Sequence, residues 1–528
     1  MKQFFIIFLT ALFAVCVASC DKDILPDGTQ SVANDDFLPL QEEIVTVDAI
    51  YRADPGVEGL RPFAKALYIA LSESPALRKL IRDRALERFN RESDVLYQFI
   101  KNEPLENGLT VRELLLRFME SGEELAAIEE KHPTLTVFVP QLPEDCFSAD
   151  NWNTDEQIPA VAIHSTRQMN IPIFAQAGFL DAERGETVIK AGIIPGFPVV
   201  VLKDNKSVVV SKNSSSRYAS LNNPGSDYVF DFTDDYYDGS RINDNPALRS
   251  TTYPFFVIDQ KLKDAYNMYG IYGAVGWQRD YVYYNLEYPN ALTGFLSRNF
   301  SETVCTFRFA ERNTPQQMLN FLNLYGNPGD PVLMTGGIPA YGEPYPWSAG
   351  SYNFRITVET GSDNSQLAFI SKEFSADPDE LFEVSFKKVS LGWGLYFYYP
   401  SVSGFNTKLL EIPLFTWDLS TFATNMKFTV YKVNPSTTQT NTYTSQTNFA
   451  GNISFEKKEG LKFGASAGIT KTSTTSVVKN IADKSLGDFF IGFHEPSVIS
   501  MTSMLKICSM LEYDGGYYKL TVFPKKQY

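Results

Sequence analysis

Apolar positions in the first quarter of the folded chain recur at helical spacing. The stretch Leu60 to Leu71 carries them every three or four residues. Ser74 then stands where an N-cap belongs, with Pro75 at the first helical position, and Leu77, Leu80, Ile81, Ala85, Leu86 and Phe89 line one face of a helix predicted to run to Asn90. Ser93 or Asp94 is placed to cap a further short helix through Ile100. Thr110 with Glu113 three residues on makes a capping box for Val111 to Met119, and Glu123 to Lys131 completes a helical segment over 45–131. His132-Pro133 closes it, with His132 as a boundary residue.

Beyond that point the period shortens to that of strands. Thr134 to Val139, Val161 to Ile163, Thr187 to Ala191, Pro198 to Leu202 and Ser207 to Val210 are of strand length. Lys203-Asp204-Asn205-Lys206 is predicted to join the last two as a hairpin turn. From Tyr253 onward the pattern is strands and turns: Phe354 to Val358, Leu381 to Phe386, Leu395 to Tyr399, Lys427 to Val433, Phe489 to Phe493 and Tyr517 to Phe523. One helix interrupts them, Pro315 to Leu324, capped by Thr314. Alternation with short turns favours sandwich-like packing over a βαβ sheet. The expected class is α+β, with an N-terminal helical subdomain and then β-rich, sandwich-like modules. The divisions are a leader at 1–19, a flexible tether at 20–44, the helical subdomain at 45–131, a β-rich region with an acidic loop at 132–252, a β-sandwich-like module at 253–435 and a Thr/Ser-rich β-region at 436–528.

The leader is the most specific part. Met1-Lys2-Gln3 is a short basic start, and Phe4 to Val17 is uncharged and apolar. A run of that length falls short of the roughly 20 residues of a spanning helix. It has the order of a signal peptide: basic start, apolar middle, small residues before the cut. The run ends Val17-Ala18-Ser19-Cys20, which resembles the lipobox of bacterial lipoproteins. That resemblance implies export, cleavage before Cys20, acylation of Cys20 and attachment to a membrane through the lipid. Asp21-Lys22-Asp23 and the Asp-, Pro- and Ser-rich stretch after it resemble the surface-export tethers of Bacteroidetes lipoproteins, with Lys22 interrupting the acidic run. The expected place is the outer membrane, at the cell surface. The order of helices and then strands, with Asp94-Val95-Leu96-Tyr97, Pro198 to Leu202, Gly460 to Ser466 and Leu486-Gly487-Asp488, resembles a group of uncharacterised Bacteroidetes lipoproteins with no assigned activity.

Composition narrows the partners. The 528 residues leave room for roughly two to four domains. The net charge is −15, and cleavage after Ser19 removes the single positive charge of Lys2. So acidic a chain is a poor match for nucleic acid, which recruits clustered Lys and Arg. The 40 Phe and 28 Tyr suit strands and a filled core. Cys146, Cys305 and Cys508 remain after the leader and the lipidated Cys20 are set aside; nothing selects a pair, and buried free thiols are the expectation.

Catalytic patterns are thin. Gly464-Ala465-Ser466-Ala467-Gly468 matches G-x-S-x-G, but β-formers follow where a hydrolase needs a helix. The three histidines, His132, His164 and His494, include no H-E-x-x-H, so a zincin is excluded. Neither a cofactor nor a metal is expected. The densest carboxylate run is Asp231, Asp234, Asp235, Asp238 and Asp244, beside Tyr236 and Tyr237 and further tyrosines up to Tyr288. Aromatic faces beside acidic acceptors are what a sugar-binding surface offers, so Asp234, Asp235, Tyr236, Tyr237 and Asp238 are the candidate ligand contacts. The competing reading has these tyrosines filling a core. The function expected is a non-enzymatic binding or structural module for glycan or protein. A carboxylate-dependent glycan hydrolase is one alternative. The other is membrane insertion by a polar hairpin at 436–480, with Glu456 to Glu459 as its turn.

Overall fold

The computed structural model describes residues 46–106, 108–165, 170–176, 185–190, 193–211, 220–221, 228–237, 258–271, 277–285, 296–324, 347–348, 350–362, 367–392, 395–433, 442–449, 473–480, 483–501 and 508–527. Among the described residues no helix is long and apolar enough to cross a membrane. The class is α+β, a helical start followed by strand-rich sheets.

The first part is built on helices Val47–Ala53, Pro55–Glu73 and Pro75–Ala85. Asp54 caps the second: its carboxylate accepts from the Gly56 and Val57 amides at 3.0 and 3.4 Å, with Pro55 at the first position. Ser74 caps the third through the Leu77 amide at 3.1 Å. Short helices Tyr97–Ile100, Val111–Leu116 and Gly122–Lys131 follow, and the Thr110–Glu113 capping box is present in both directions. These helices share one core with a six-stranded sheet. Its strands are β1 (Asp94–Leu96), β2 (Leu135–Phe138), β3 (Ala160–Ile163), β4 (Ile171–Phe174), β5 (Glu186–Ile189) and β7 (Val199–Asp204), where β6 is Ile194–Pro195. The order is β1-β2-β7-β3-β4-β5, antiparallel except for the parallel β3–β7 pair. Val199 to Leu202 are all buried, as a central strand covered on both faces requires. The line drawn at 131/132 therefore runs through a single core.

The second core begins with a small sheet of β8 (Val208–Ser211), β9 (Ser220–Leu221) and β10 (Val229–Phe232). It continues with β11 (Phe300–Phe309), β12 (Tyr352–Glu359), β13 (Phe369–Ala376), β14 (Phe382–Gly392), β15 (Leu395–Phe405), β16 (Lys408–Phe415), β17 (Asn425–Lys432), β18 (Thr442–Phe449), β19 (Ser473–Asn480), β20 (Lys484–Gly492), β21 (Val498–Met501), β22 (Cys508–Met510), β23 (Glu512–Asp514) and β24 (Tyr518–Lys526). Two four-stranded antiparallel sheets, β16-β11-β24-β23 and β13-β12-β17-β20, share an aromatic core. Phe307 of the first sheet meets Phe354 and Phe374 of the second at 5.1 and 5.3 Å between ring centres. The long hairpin β14–β15 joins the two cores. Phe382 and Phe405 pack on the sandwich, while Phe397 and Tyr398 pair with β6 and pack into the first core. Gly196 permits this approach: a Cβ there would lie 2.7 Å from the Tyr396 carbonyl oxygen.

Four local expectations change. The helix from Pro75 stops at Ala85 because Arg88 and Arg91 take left-handed backbone, with φ of 45° and 70°. Asp94 to Leu96 is an edge strand paired with β2, so neither Ser93 nor Asp94 opens a helix; Tyr97 does. Residues 203–206 do not join a hairpin: β7 pairs with β2 and β3, while β8 pairs with β10 in another sheet. Helices Gln260–Ile271 and Gln278–Tyr284 occupy a stretch expected to be strands and turns, so Tyr266, Tyr269, Tyr281, Tyr283 and Tyr284 are helical. The helix Pro315–Leu324 and its Thr314 cap are present, the hydroxyl accepting from the Gln317 amide at 3.2 Å.

Candidate functional site

The aromatic and acidic residues nominated from the sequence lie just after β10. Asp234 is buried and its carboxylate accepts from the Tyr236 amide at 3.0 Å. Tyr236 and Tyr237 are buried edge to face, 5.2 Å apart, and belong to the second core. The Arg91 guanidinium lies 3.7 Å from the Tyr236 ring centre, and its Nε donates to the Tyr236 carbonyl at 2.5 Å. These two rings are occupied by the protein and present no open stacking face. The backbone of Asp235 lies in the same short turn. Asp238, Cys20, the Gly464–Gly468 string and Glu456–Glu459 lie outside the described residues.

His132 ends the helix Gly122–Lys131, with Nδ1 3.0 Å from Asp204 Oδ2. His494 lies beside Trp277, 6.4 Å between ring centres, and burial lowers its pKa. Among the described residues no three His, Cys, Asp or Glu side chains converge as a metal site, and Cys146, Cys305 and Cys508 are free thiols.

The arrangement richest in chemistry was not legible as a motif. It sits where the two cores meet, and three strands build it. Asp94 opens β1, Phe138 faces it from β2, and Lys203 comes from β7 across the same sheet. Glu92 arrives from the segment that the left-handed Arg91 swings out of helix. Lys203 Nζ lies 2.9 Å from Glu92 Oε2, 3.0 Å from Asp94 Oδ1 and 3.9 Å from the Phe138 ring centre. Lys203 and Asp94 are almost entirely closed to solvent, with side chains 5% and 2% exposed. Asp94 Oδ2 accepts from Asn90 Nδ2 at 2.8 Å and from Asn205 Nδ2 at 3.0 Å. Asn205 is held in turn by the Ser207 amide and hydroxyl, which donate to its Oδ1 at 3.0 and 2.9 Å. Ser351 donates to Glu92 Oε1.

Electrostatics separates the two carboxyls. Burial pushes Asp94 above the usual carboxylate range, and Lys203 only partly opposes it. Burial acts the same way on Glu92, but the lysine and the Ser351 hydroxyl outweigh it and hold Glu92 below its ordinary value. Burial alone would lower Lys203; the two carboxylates reverse this and raise it. Nearby, His164 Nδ1 is 3.2 Å from the Ser348 hydroxyl, and burial, reinforced by Lys206 and Lys203, pushes the imidazole down to about 3. Its Nε2 is buried without a hydrogen-bond partner.

A second buried pair holds the helix Gln278–Tyr284 to the sandwich. Arg279 Nε and Nη2 donate to the two Glu302 oxygens at 2.7 and 3.1 Å, and Nη1 donates to the Glu495 carbonyl at 3.0 Å.

Sequence reasoning missed the cluster because Asp94 was assigned to a cap and Lys203 to a turn, while Glu92 fell between elements and was given no role. The available signal was register: Lys203 continues the Val199–Val201 face of a strand buried on both sides, where an isolated charge demands a partner. No protein-family model, curated protein or solved structure matches the chain.

Proposed function

We propose that the chain is a lipid-anchored protein of the bacterial outer membrane, facing the cell surface and serving as a non-enzymatic binding or structural module for a glycan or protein ligand. The observation that carries this reading is the apolar run Phe4 to Val17 ending in Val17-Ala18-Ser19-Cys20, followed by an acidic, turn-rich tether. The chemistry of the described residues supports the non-enzymatic part. Burial keeps His164 neutral and raises Cys305, Cys508 and Cys146, the last to about 11, so these groups are not set up as bases or nucleophiles near neutral pH. Glu92 and Asp94 are taken up by Lys203 inside the protein, away from any polymer in solution.

Metabolic labelling with an alkyne palmitate tests the anchor. Label is expected on the wild-type chain and absent from Cys20→Ser, and unlabelled wild-type chain would remove the reading. Protease shaving of intact cells, followed by an immunoblot against residues 250–528, tests the surface location. Protection until the outer membrane is broken would place the protein inside. Glycan arrays and pulldowns test the module, and silence in both would count against binding.

A further inference from the structure

We propose that Lys203 and Asp94 condense to an internal amide, an isopeptide bond joining β7 to β1, with Glu92 moving the protons. The reasoning starts from contact. Lys203 Nζ lies 3.0 Å from Asp94 Oδ1 in a site closed to water, so the carbon that would be attacked is one bond further on, and the pair is held in contact without an encounter step. The amine is also 2.9 Å from a second carboxylate, so one group stands ready to accept its proton. The remaining oxygen of Asp94 faces two amide donors, Asn90 and Asn205, at 2.8 and 3.0 Å. That is the arrangement an oxyanion hole uses: neutral donors fixed beforehand where negative charge will develop. Asn205 cannot turn away, because Ser207 holds its other end. Phe138 covers the ammonium.

The step balances without oxidant or reductant. The Lys203 ammonium gives one proton to Glu92, which passes it to Asp94 Oδ1. The free amine then attacks Asp94 Cγ, forming the C–N bond, and charge collects on Oδ2 between Asn90 and Asn205. Glu92 takes a second proton from the nitrogen and delivers it to Oδ1. The Cγ–Oδ1 bond breaks, one water leaves, Oδ2 becomes the amide carbonyl, and Glu92 ends as it began. The burial that pushes Asp94 toward its protonated form favours the acid the attack requires. Exclusion of water disfavours the reverse hydrolysis.

Peptide mapping of the full chain purified from membranes decides the matter. Unreacted protein digested with trypsin releases Glu92–Lys101 and, after cleavage at Lys203, Ala191–Lys203. The condensed protein resists cleavage at Lys203 and yields Glu92–Lys101 joined to Ala191–Lys206, lighter than their sum by one water. Glu92→Gln is expected to remain folded, with a cooperative unfolding transition at lower temperature, and to lose the joined species. Asp94→Asn is expected to give a joined species of the same mass as wild type, since it would lose ammonia in place of water. Recovery of the separate peptides in full from wild-type protein would overturn the proposal. A joined species persisting in Glu92→Gln would overturn the part given to Glu92.

Discussion

Removing Arg279 tests whether a buried ion pair holds the helix Gln278–Tyr284 to the sandwich. Arg279 and Glu302 are both closed to solvent, at 0% and 1% side-chain exposure, and meet through two hydrogen bonds. In Arg279→Met the methionine fills most of the volume, but Glu302 keeps only the Tyr283 hydroxyl at 3.3 Å. Breaking a buried pair by removing one partner costs roughly 3–5 kcal/mol, because the remaining charge is left without compensation. The lost bond from Nη1 to the Glu495 carbonyl adds about 1 kcal/mol. The expected loss is therefore about 4–6 kcal/mol. Urea unfolding followed by tryptophan fluorescence reads it locally, since the Trp417 ring lies 5.6 Å from the guanidinium. The double variant Arg279→Met with Glu302→Gln removes both charges, and its loss is expected to be smaller than the sum of the singles by about 2 kcal/mol or more. A single-variant loss below about 1 kcal/mol, or strict additivity, would refute the reasoning.

Other outcomes follow from the junction and the leader. His164 protonates near 3 when folded and at its ordinary value of about 6.5 when unfolded, so between those values the unfolded chain binds the extra proton. Lowering the pH from 7 to 5 is expected to cost about 2 kcal/mol through this group, and His164→Asn should flatten that part of the profile in urea titrations at the two pH values. Gly350 has φ of +80°, and a Cβ there would lie 2.7 Å from Glu92 Oε2 and 3.1 Å from Lys203 Nζ. Gly350→Ala is expected to destabilise by roughly 1–3 kcal/mol and to lower the yield of the joined peptide in the same tryptic map; an unchanged melting curve would count against the crowding. Cys20→Ser is expected to abolish palmitate labelling, while the folded part keeps its far-UV circular dichroism.

Local signals in the sequence were read well where one residue type dictates one geometry. Ser74-Pro75 and Thr110 with Glu113 each place a side-chain acceptor over free amides, and the helices start there; Asp54-Pro55 does the same for the preceding helix, a signal the sequence reading passed over. The helix-then-strand order was legible for the same reason: the period of apolar positions changes near His132. Misreadings came from positions where tertiary contact overrides local preference. The helix after Pro75 has apolar residues out to Phe89, yet it ends at Ala85 because Phe89 is wanted by Phe232 in the other core, at 6.3 Å. Tyrosine-rich 260–284 looked like strand because aromatics favour sheets, but the helices there bury Leu262, Ala265, Val282 and Tyr283 against the sandwich. Tyr236 and Tyr237 are buried and not open, and nothing local tells a stacked sugar platform from rings bound by an arginine contributed from residue 91.

Strain at the junction gives the proposed bond a physical role. Arg88 and Arg91 hold left-handed backbone that non-glycine residues adopt at a cost of roughly 1–3 kcal/mol each. What holds them there is the set of contacts that follows: Arg91 on Tyr236, Glu92 on Lys203 and Ser351, Asn90 and Asp94 on Ser207 and Asn205. All are polar, and all can open together if the two cores shift. A covalent link from Asp94 to Lys203 would close a loop of roughly 110 residues, which removes about 4–5 kcal/mol of chain entropy from the unfolded state in the loop-closure view. That is comparable to the combined strain of the two arginines. The link would hold β1 in register on β2 and β7 even while neighbouring contacts break. With the N-terminal lipid anchor proposed above, pulling force would enter through the segment before Val47, and the helices and β1 would be the first elements it reaches. Chemical denaturation of wild type and of Glu92→Gln therefore separates two cases. A linked wild type loses β1 with the whole first core in one transition, whereas the unlinked variant frays at β1 first, visible as early amide exchange at Val95 and Leu96.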